Sequence, residues 1–364
     1  MVAKSLTIYH LSQAKRSVSA LFLRLLLLLA LLFGLWFLSI VGNGSIRKPL
    51  RIPSTKIAYG VNVDMTAMIP GTPYTVTTTS GGNFFDLASQ LGINTLRITD
   101  VQWALTGKER SQAAWRYVFD EAENHHMNVI LLLVNGGIHS SIEHAHTLLD
   151  HYGLAGDPAL WLVDLDNEPD LSDSRHMAEL RAEAAYVHQV APAVPVTIGG
   201  WWKSKVPGHP GESDWQDPAD IPRFINLVDV VSPHLYEFEQ GVQLGFTPGQ
   251  WTRRYLNAVR QEAQGKPILL EEFGAGNGLA PTTDPTPTGS PGWQASVYRG
   301  VLQEVSAEHG QGVLGAIAWI IAPRPAFPNS DNFEGDDTGW AFVLDHGRHL
   351  LPAAQVFSAV SRAG

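Results

Sequence analysis

From Lys56 to its end the chain alternates between two hydrophobic patterns. Short runs rich in apolar and β-branched residues begin near Ile57, Ile93, Asn128, Trp161, Pro195, Val228, Pro267 and Leu314. Their continuous apolarity suits strands covered on both faces. Between most of them lie amphipathic stretches at helical spacing. Residues 113–125 carry Trp115, Val118, Phe119 and Ala122, residues 177–190 carry Leu180, Ala184, Val187 and Val190, and residues 251–263 carry Tyr255, Ala258 and Val259. Eight strand–helix units of roughly 35 residues predict an α/β fold, a (β/α)8 TIM barrel. An open doubly wound sheet is the competing architecture. No Gly-rich phosphate fingerprint follows the first strand, which weighs against it.

Residues 1–55 follow another pattern. A short basic segment, residues 1–18, holds Lys4, Lys15 and Arg16. Residues 19–42 are almost wholly apolar apart from Arg24, and residues 25–41 contain no charge. About 20 apolar residues span a bilayer, and Arg24 can extend its head to the inner headgroups. This segment reads as a transmembrane anchor, with a cleaved signal as the alternative. Arg47, Lys48 and Arg51 lie just beyond the span, so the positive-inside rule gives a modest preference for the N-terminus inside. Residues 43–55 then form a tether containing Pro49 and Pro53, and residues 56–364 form the barrel domain. The expected location is membrane-anchored with the body outside the cytoplasm, or secreted if the segment is cleaved.

Two long loops rich in turn residues, 275–292 and 322–339, follow the seventh and eighth strands. Loops at the C-terminal ends of barrel strands build the active site, so these two are expected to wall a cleft. Residues 281–291 read as a stiffened loop rather than a linker. Residues 339–348 suggest a small hairpin turning at Asp345-His346-Gly347, and residues 351–360 a closing helix.

Composition narrows the partners. Of 364 residues, 45% are hydrophobic and 16% charged, enough for a sizeable core. The net charge of −10 argues against nucleic acid, which selects a basic surface. With no cysteine there are no disulfides, thiolate metal sites or cysteine nucleophile.

The chemistry gathers at two strand ends. The run Trp161-Leu162-Val163-Asp164-Leu165-Asp166-Asn167-Glu168-Pro169 begins apolar and ends at a proline, which cannot donate to a ladder. Pro267-Ile268-Leu269-Leu270-Glu271-Glu272-Phe273-Gly274 has the same form. Glu168 and Glu272 therefore end strands four and seven and face each other across the barrel mouth. Two carboxylates so placed are what a retaining glycosidase needs, with the groups about 5 Å apart. The acid of such a pair must hold its proton near neutral pH.

With these features the chain resembles glycoside hydrolase family 5, cellulase-like, within the clan of retaining barrel glycosidases. The resemblance extends over most of residues 56–360. It rests on Tyr59-Gly60-Val61-Asn62, Asn94-Thr95-Leu96-Arg97-Ile98, Gly156-Asp157-Pro158 leading to Asp166-Asn167-Glu168-Pro169, Ser232-Pro233-His234-Leu235-Tyr236, Glu272-Phe273-Gly274 and Ala316-Ile317-Ala318-Trp319, in order on successive strands. The resemblance implies Glu168 as acid/base and Glu272 as nucleophile. It implies Asn167 on the sugar 2-hydroxyl, Arg97 and Tyr236 holding Glu272 ionised, His234 on the sugar or the acid/base, and Trp319 as an apolar floor. It implies no cofactor, a polysaccharide or oligosaccharide substrate with a β-1,4-glucan or β-mannan foremost, and membrane contact through the N-terminal segment. After strand three the family often has a histidine. This chain has Val134-Asn135-Gly136-Gly137, with His139 further on.

Other readings stand beside these. A non-hydrolytic carbohydrate-binding barrel at the cell surface is the alternative function. Strand alternation sends only one of Glu271 and Glu272 into the mouth, and Glu272 is the choice. Glu271 then becomes a structural partner or lies between strand and helix. Trp103, Trp201, Trp202 and Trp340 lie near strand ends, where sugar stacking and packing are both open. His125-His126, His144 and His146 read as a solvated helix face, and Asp331, Glu334, Asp336 and Asp337 as an acidic loop rather than a Ca²⁺ site. No metal is assigned.

Overall fold

The computed structural model describes residues 56–72, 74–99, 108–134, 142–201, 216–279, 289–323 and 338–363. Residues 1–55, with the expected membrane segment and tether, lie outside them. Among the described residues no helix is long and apolar enough to cross a membrane.

Eight parallel strands form one sheet: β1 (Ala58–Asp64), β2 (Thr95–Thr99), β3 (Asn128–Leu132), β4 (Leu160–Asn167), β5 (Val196–Gly199), β6 (His234–Leu235), β7 (Ile268–Phe273) and β8 (Val313–Ala318). The hydrogen-bonded order is β5-β4-β3-β2-β1-β8-β7-β6. A parallel bridge from Gly199 to Ser232 joins the two open ends, so the sheet closes into the expected barrel. Most strands begin within two residues of their predicted positions. The exception is β6, expected near Val228. Val231 and Ser232 make only single bridges, because Pro233 has no N–H to continue the ladder.

The helices form where the amphipathic pattern placed them, at Lys108–Asn124, Ser174–Val190, Pro248–Glu262 and Pro291–Glu308. Their starts are locally encoded. Thr247 and Gln250 form a capping box ahead of Pro248, and Ser290 caps the helix that opens with Pro291. The expected hairpin pairs Val343–Leu344 with His349–Leu350, with Asp345, His346 and Gly347 all at positive φ in the turn. The closing helix is Pro352–Ser361.

Two apolar cores divide the body. The larger lies between strands and helices. In it an aromatic chain runs from Phe273 to Tyr298 (5.0 Å), Phe342 (5.4 Å), Phe357 (6.0 Å) and Tyr59 (6.5 Å), tying the closing helix to β1 and β7. The smaller fills the barrel interior with Ala58, Ile130, Leu162, Leu269, Leu314 and Ile317. Toward the C-terminal strand ends this plug gives way to the polar side chains of the site.

Candidate active site

Arg97 on β2 is the centre of the polar layer and is fully buried. Each of its five N–H groups has an acceptor. Nε donates to Asp164 Oδ2 at 3.1 Å, Nη2 to the same oxygen at 2.7 Å and to Asn167 Oδ1 at 2.7 Å, and Nη1 to Asn62 Oδ1 at 2.8 Å and to Glu272 Oε1. The guanidinium thus links β1, β2, β4 and β7. Gly199 permits the arrangement. A Cβ there would lie 2.5 Å from Arg97 Nη2 and 2.6 Å from Asp164 Oδ2, while the glycine N–H donates to Asp164 Oδ1 at 2.8 Å.

Glu272 ends β7, 4% exposed. Its second oxygen accepts the Tyr236 hydroxyl at 2.6 Å and lies 3.5 Å from His234 Nδ1. Burial alone would raise its pKa. The electrostatic pull of His234 and Arg97 and hydrogen bonds from Tyr236 and Arg97 outweigh burial and hold the carboxyl below its ordinary value. Tyr236 shows the converse shift. Burial first, then the nearby Glu272 charge, push its hydroxyl well above the usual tyrosine range, so it remains a donor.

Glu168 follows β4 with φ +53. For a non-glycine residue this left-handed conformation costs about 1–2 kcal/mol. Two hydrogen bonds offset it: the Glu168 N–H donates to the Gly199 carbonyl at 2.7 Å, and Oε1 pairs with His234 Nδ1 at 2.7 Å. The His234 backbone is fixed from behind, its amide N–H donating to Gln216 Oε1 at 2.8 Å. Gly200, at φ +65, lets the ring approach, since a Cβ there would meet Gln216 Nε2 at 2.4 Å and His234 Nδ1 at 2.8 Å.

The structure brings six of the seven expected residues, Arg97, Asn167, Glu168, His234, Tyr236 and Glu272, into one bonded network. The seventh, Trp319, follows β8 half-buried. Its N–H donates to Phe273 O at 2.8 Å and its carbonyl accepts the Tyr298 hydroxyl at 3.2 Å, which fixes its backbone at the same rim. Trp340 packs edge-on against Tyr236, centroids 5.4 Å apart. Trp201 is a packing residue, buried at 5.0 Å from Phe224 and donating to Asp217 O. Trp103, Trp202, His139 and the acids 331–337 lie outside the described residues.

One expectation needs correcting. Glu271 and Glu272 both turn toward Arg97, with Glu271 Oε1 3.4 Å from Nε. The β7–β8 register shifts between Leu270 and Phe273, and such an irregularity defeats strict alternation. Sequence reasoning also missed Asn62 and Asp164. The signal was a lone arginine in one apolar strand and an acid within another, each of which needs a partner if buried.

One atom each from Glu168, His234 and Glu272 lie within 4.8 Å of one another, the only such group of three among the described residues. As a metal site it is poor, because His234 Nδ1 is engaged by Glu168 and a cation would sit beside the Arg97 guanidinium. His125 and His144 are engaged elsewhere, by the Glu121 and Leu133 carbonyls.

Solved structures share this architecture. The chain matches the GH53 catalytic domain from Ignisphaera aggregans with a TM-score of 0.59 and 17% identity, over 86% of this chain and 98% of that one. It matches the endo-1,4-beta-D-mannanase from Thermotoga petrophila RKU-1 with a TM-score of 0.53 and 17% identity, over 85% and 100%. It matches the glycoside hydrolase family 5 mannosidase from Rhizomucor miehei at 0.54 and 15%, over 84% and 92%. No protein-family model matches the chain, and no curated protein matches it in sequence. The fold is that of barrel glycoside hydrolases, family 5 among them.

Proposed function

We propose that the protein is a retaining glycosidase that cleaves O-glycosidic bonds in a β-linked glycan by double displacement. The observation that carries this reading is the approach of Glu168 and Glu272 carboxyl oxygens to within 4.8 Å across the barrel mouth. Retaining enzymes hold their carboxyl groups about 5–5.5 Å apart, whereas inverting enzymes leave room for a water between them.

The roles follow from the contacts. Glu272, kept ionised by Arg97 and Tyr236, attacks the anomeric carbon. Glu168, partly exposed and oriented by His234, protonates the leaving oxygen and then deprotonates the water that releases the sugar. Asn167 gives its Oδ1 to Arg97, which presents its Nδ2 as donor for a sugar hydroxyl. Trp319 supplies an apolar face. The mannan-active names among the structural neighbours favour a β-mannan, with β-1,4-glucan next. Residues 19–42 anchor the protein with its barrel outside the cytoplasm. Retention in a carbonate-washed membrane fraction tests that point, and release to the medium with a shortened N-terminus would overturn it.

The functional test is reducing-sugar release by the full chain from β-glucans, mannans, xylans and galactans, with Glu272→Gln in parallel. Turnover of one polymer with retained anomeric configuration, and a loss of at least about three orders of magnitude in the variant, is expected. An inverted first product would overturn the mechanism. The alternative, a carbohydrate-binding barrel that does not cut, predicts equal binding isotherms for both proteins and no release from either.

A further inference from the structure

The double-displacement reading uses Glu272 and leaves its neighbour, Glu271, without a task. Glu271 is fully buried, and its oxygens take no hydrogen bond from Arg97 or from a backbone N–H; only the Ser232 hydroxyl lies close enough to donate to them. It rests against Arg97, whose five N–H groups all go to other acceptors. Asn62 from β1 donates to the Glu271 backbone carbonyl at 3.2 Å; the groups facing the side chain are Arg97 from β2, Asp164 from β4, Ser232 ahead of β6 and Glu272 from β7, with His234 beyond Glu272.

Three carboxyls therefore share one guanidinium in a space closed to water. Ionised together, they would carry two more negative charges than the guanidinium offsets, and the next basic group, His234, sits against Glu168 and Glu272 rather than Glu271; removing an uncompensated charge from water costs several kcal/mol. Asp164 and Glu272 both hold hydrogen bonds from Arg97, and Asp164 another from Gly199. Glu271 has none from Arg97 or the backbone, only the neutral Ser232 hydroxyl beside it, so its anion is the least compensated of the three.

We propose that Glu271 is a positioning residue, a buried carboxylic acid that keeps its proton and so leaves the charge of Arg97 to Asp164 and the nucleophile Glu272. The role of Glu272 in this statement rests on the glycosidase reading. The protonation of Glu271 does not. Burial and then the charge of Asp164 push the Glu271 carboxyl well above the ordinary carboxylate range, with Glu272 adding to the rise. Arg97 and the nearby Ser232 hydroxyl pull the other way. Asp164, buried but bonded to Arg97, is raised only to about 6.

A neutral acid has a near-isostere in glutamine, and an anion does not. Infrared difference spectra of the full-length wild type minus Glu271→Gln at pH 7 should show one additional protonated-carboxyl C=O stretch on the wild-type side, the bands of other protonated carboxyls cancelling. The pH profile of kcat/KM should keep its acid limb in the variant, with kcat/KM within about threefold at neutral pH. No protonated-carboxyl band would overturn the proposal. So would a downward shift of the acid limb, because deleting a real negative neighbour must lower the pKa of Glu272. If Glu271→Gln does not fold, the same band is sought at pH 7 in the double variant Glu168→Gln/Glu183→Gln, which removes the proposed acid and the other strongly raised carboxyl; its presence there supports the proposal and its absence overturns it. A band without any glycan turnover would sink the glycosidase reading and leave the protonation of Glu271 standing.

Discussion

Replacing Tyr236 by phenylalanine removes one hydrogen bond and little else. The ring stays, and with it the edge-on contact to Trp340. What goes is the hydroxyl that donates to Glu272 Oε2 at 2.6 Å. A hydrogen bond to an ionised partner contributes about 1.5–3 kcal/mol, and one pKa unit corresponds to about 1.4 kcal/mol. The Glu272 carboxyl should therefore rise by about one to two units, while Arg97 keeps it ionised at neutral pH. The acid limb of kcat/KM, which reports the free enzyme, should move up by that amount, with a much smaller loss at pH 7 than Glu272→Gln causes. Stability gives a second reading. Because folding depresses the Glu272 pKa, its contribution is present above the unfolded carboxylate value and lost as pH falls through the folded one. The melting temperatures of Tyr236→Phe and wild type should thus differ most near neutral pH and converge in acid. An acid limb that stays put or moves down, in a folded variant, would refute the claim that Tyr236 holds the nucleophile ionised.

Three further outcomes are expected. Glu168→Gln should lose about 10²–10⁴ in kcat/KM on polymeric substrate and recover most of it in kcat/KM on an aryl glycoside whose leaving group needs no proton, while kcat there stays low because the base for deglycosylation is missing; equal losses in kcat/KM on both would remove Glu168 from the acid role. Gly200→Ala should lose stability and activity together, because its Cβ meets Gln216 and His234 as well as a left-handed backbone, whereas Gly265→Ala, at φ +81 with nothing within 4 Å, should cost only about 1–2 kcal/mol of stability and no activity. Glu183, on the buried face of the helix Ser174–Val190 beside Asp166, is raised to about 8 by burial and then by Asp166. A raised carboxyl contributes stability below its unfolded pKa that is lost as pH climbs to the folded one, so Glu183→Gln should exceed wild type by a few kcal/mol above about pH 8, and a variant no more stable there would contradict that burial.

The strand rhythm made the barrel legible because parallel strands covered on both faces must be apolar throughout, and a helix between each pair must show one apolar stripe. The two catalytic candidates were legible for a related reason: a carboxylate closing an apolar run sits where a strand reaches the rim. Strand six was misplaced by several residues because its apolar run, Val228-Val230-Val231, precedes the continuous ladder, which Pro233 delays. The loop tryptophans could not be sorted. Trp201 and Trp340 have similar sequence surroundings, yet one is buried on Phe224 and the other lies against Tyr236, a difference set by distant chain.

The side-chain directions at the rim were harder to read, and charge balance explains how they could have been found. Strands four and seven carry Asp164, Asp166, Glu271 and Glu272, all buried, and strand two carries a single arginine. Period-two alternation assigns sides only to a regular strand, and both strands have register shifts, between Asp164 and Asn167 and between Leu270 and Phe273. Asp166 escapes the barrel and pairs with His176 at 2.7 Å. The other three stay with Arg97. Once burial is granted, one guanidinium cannot hold three anions, so either a further cation must enter or an acid must keep its proton. Asp164 and Glu272 take hydrogen bonds from Arg97 and Glu271 takes none, which makes Glu271 the one acid whose proton the site has reason to retain.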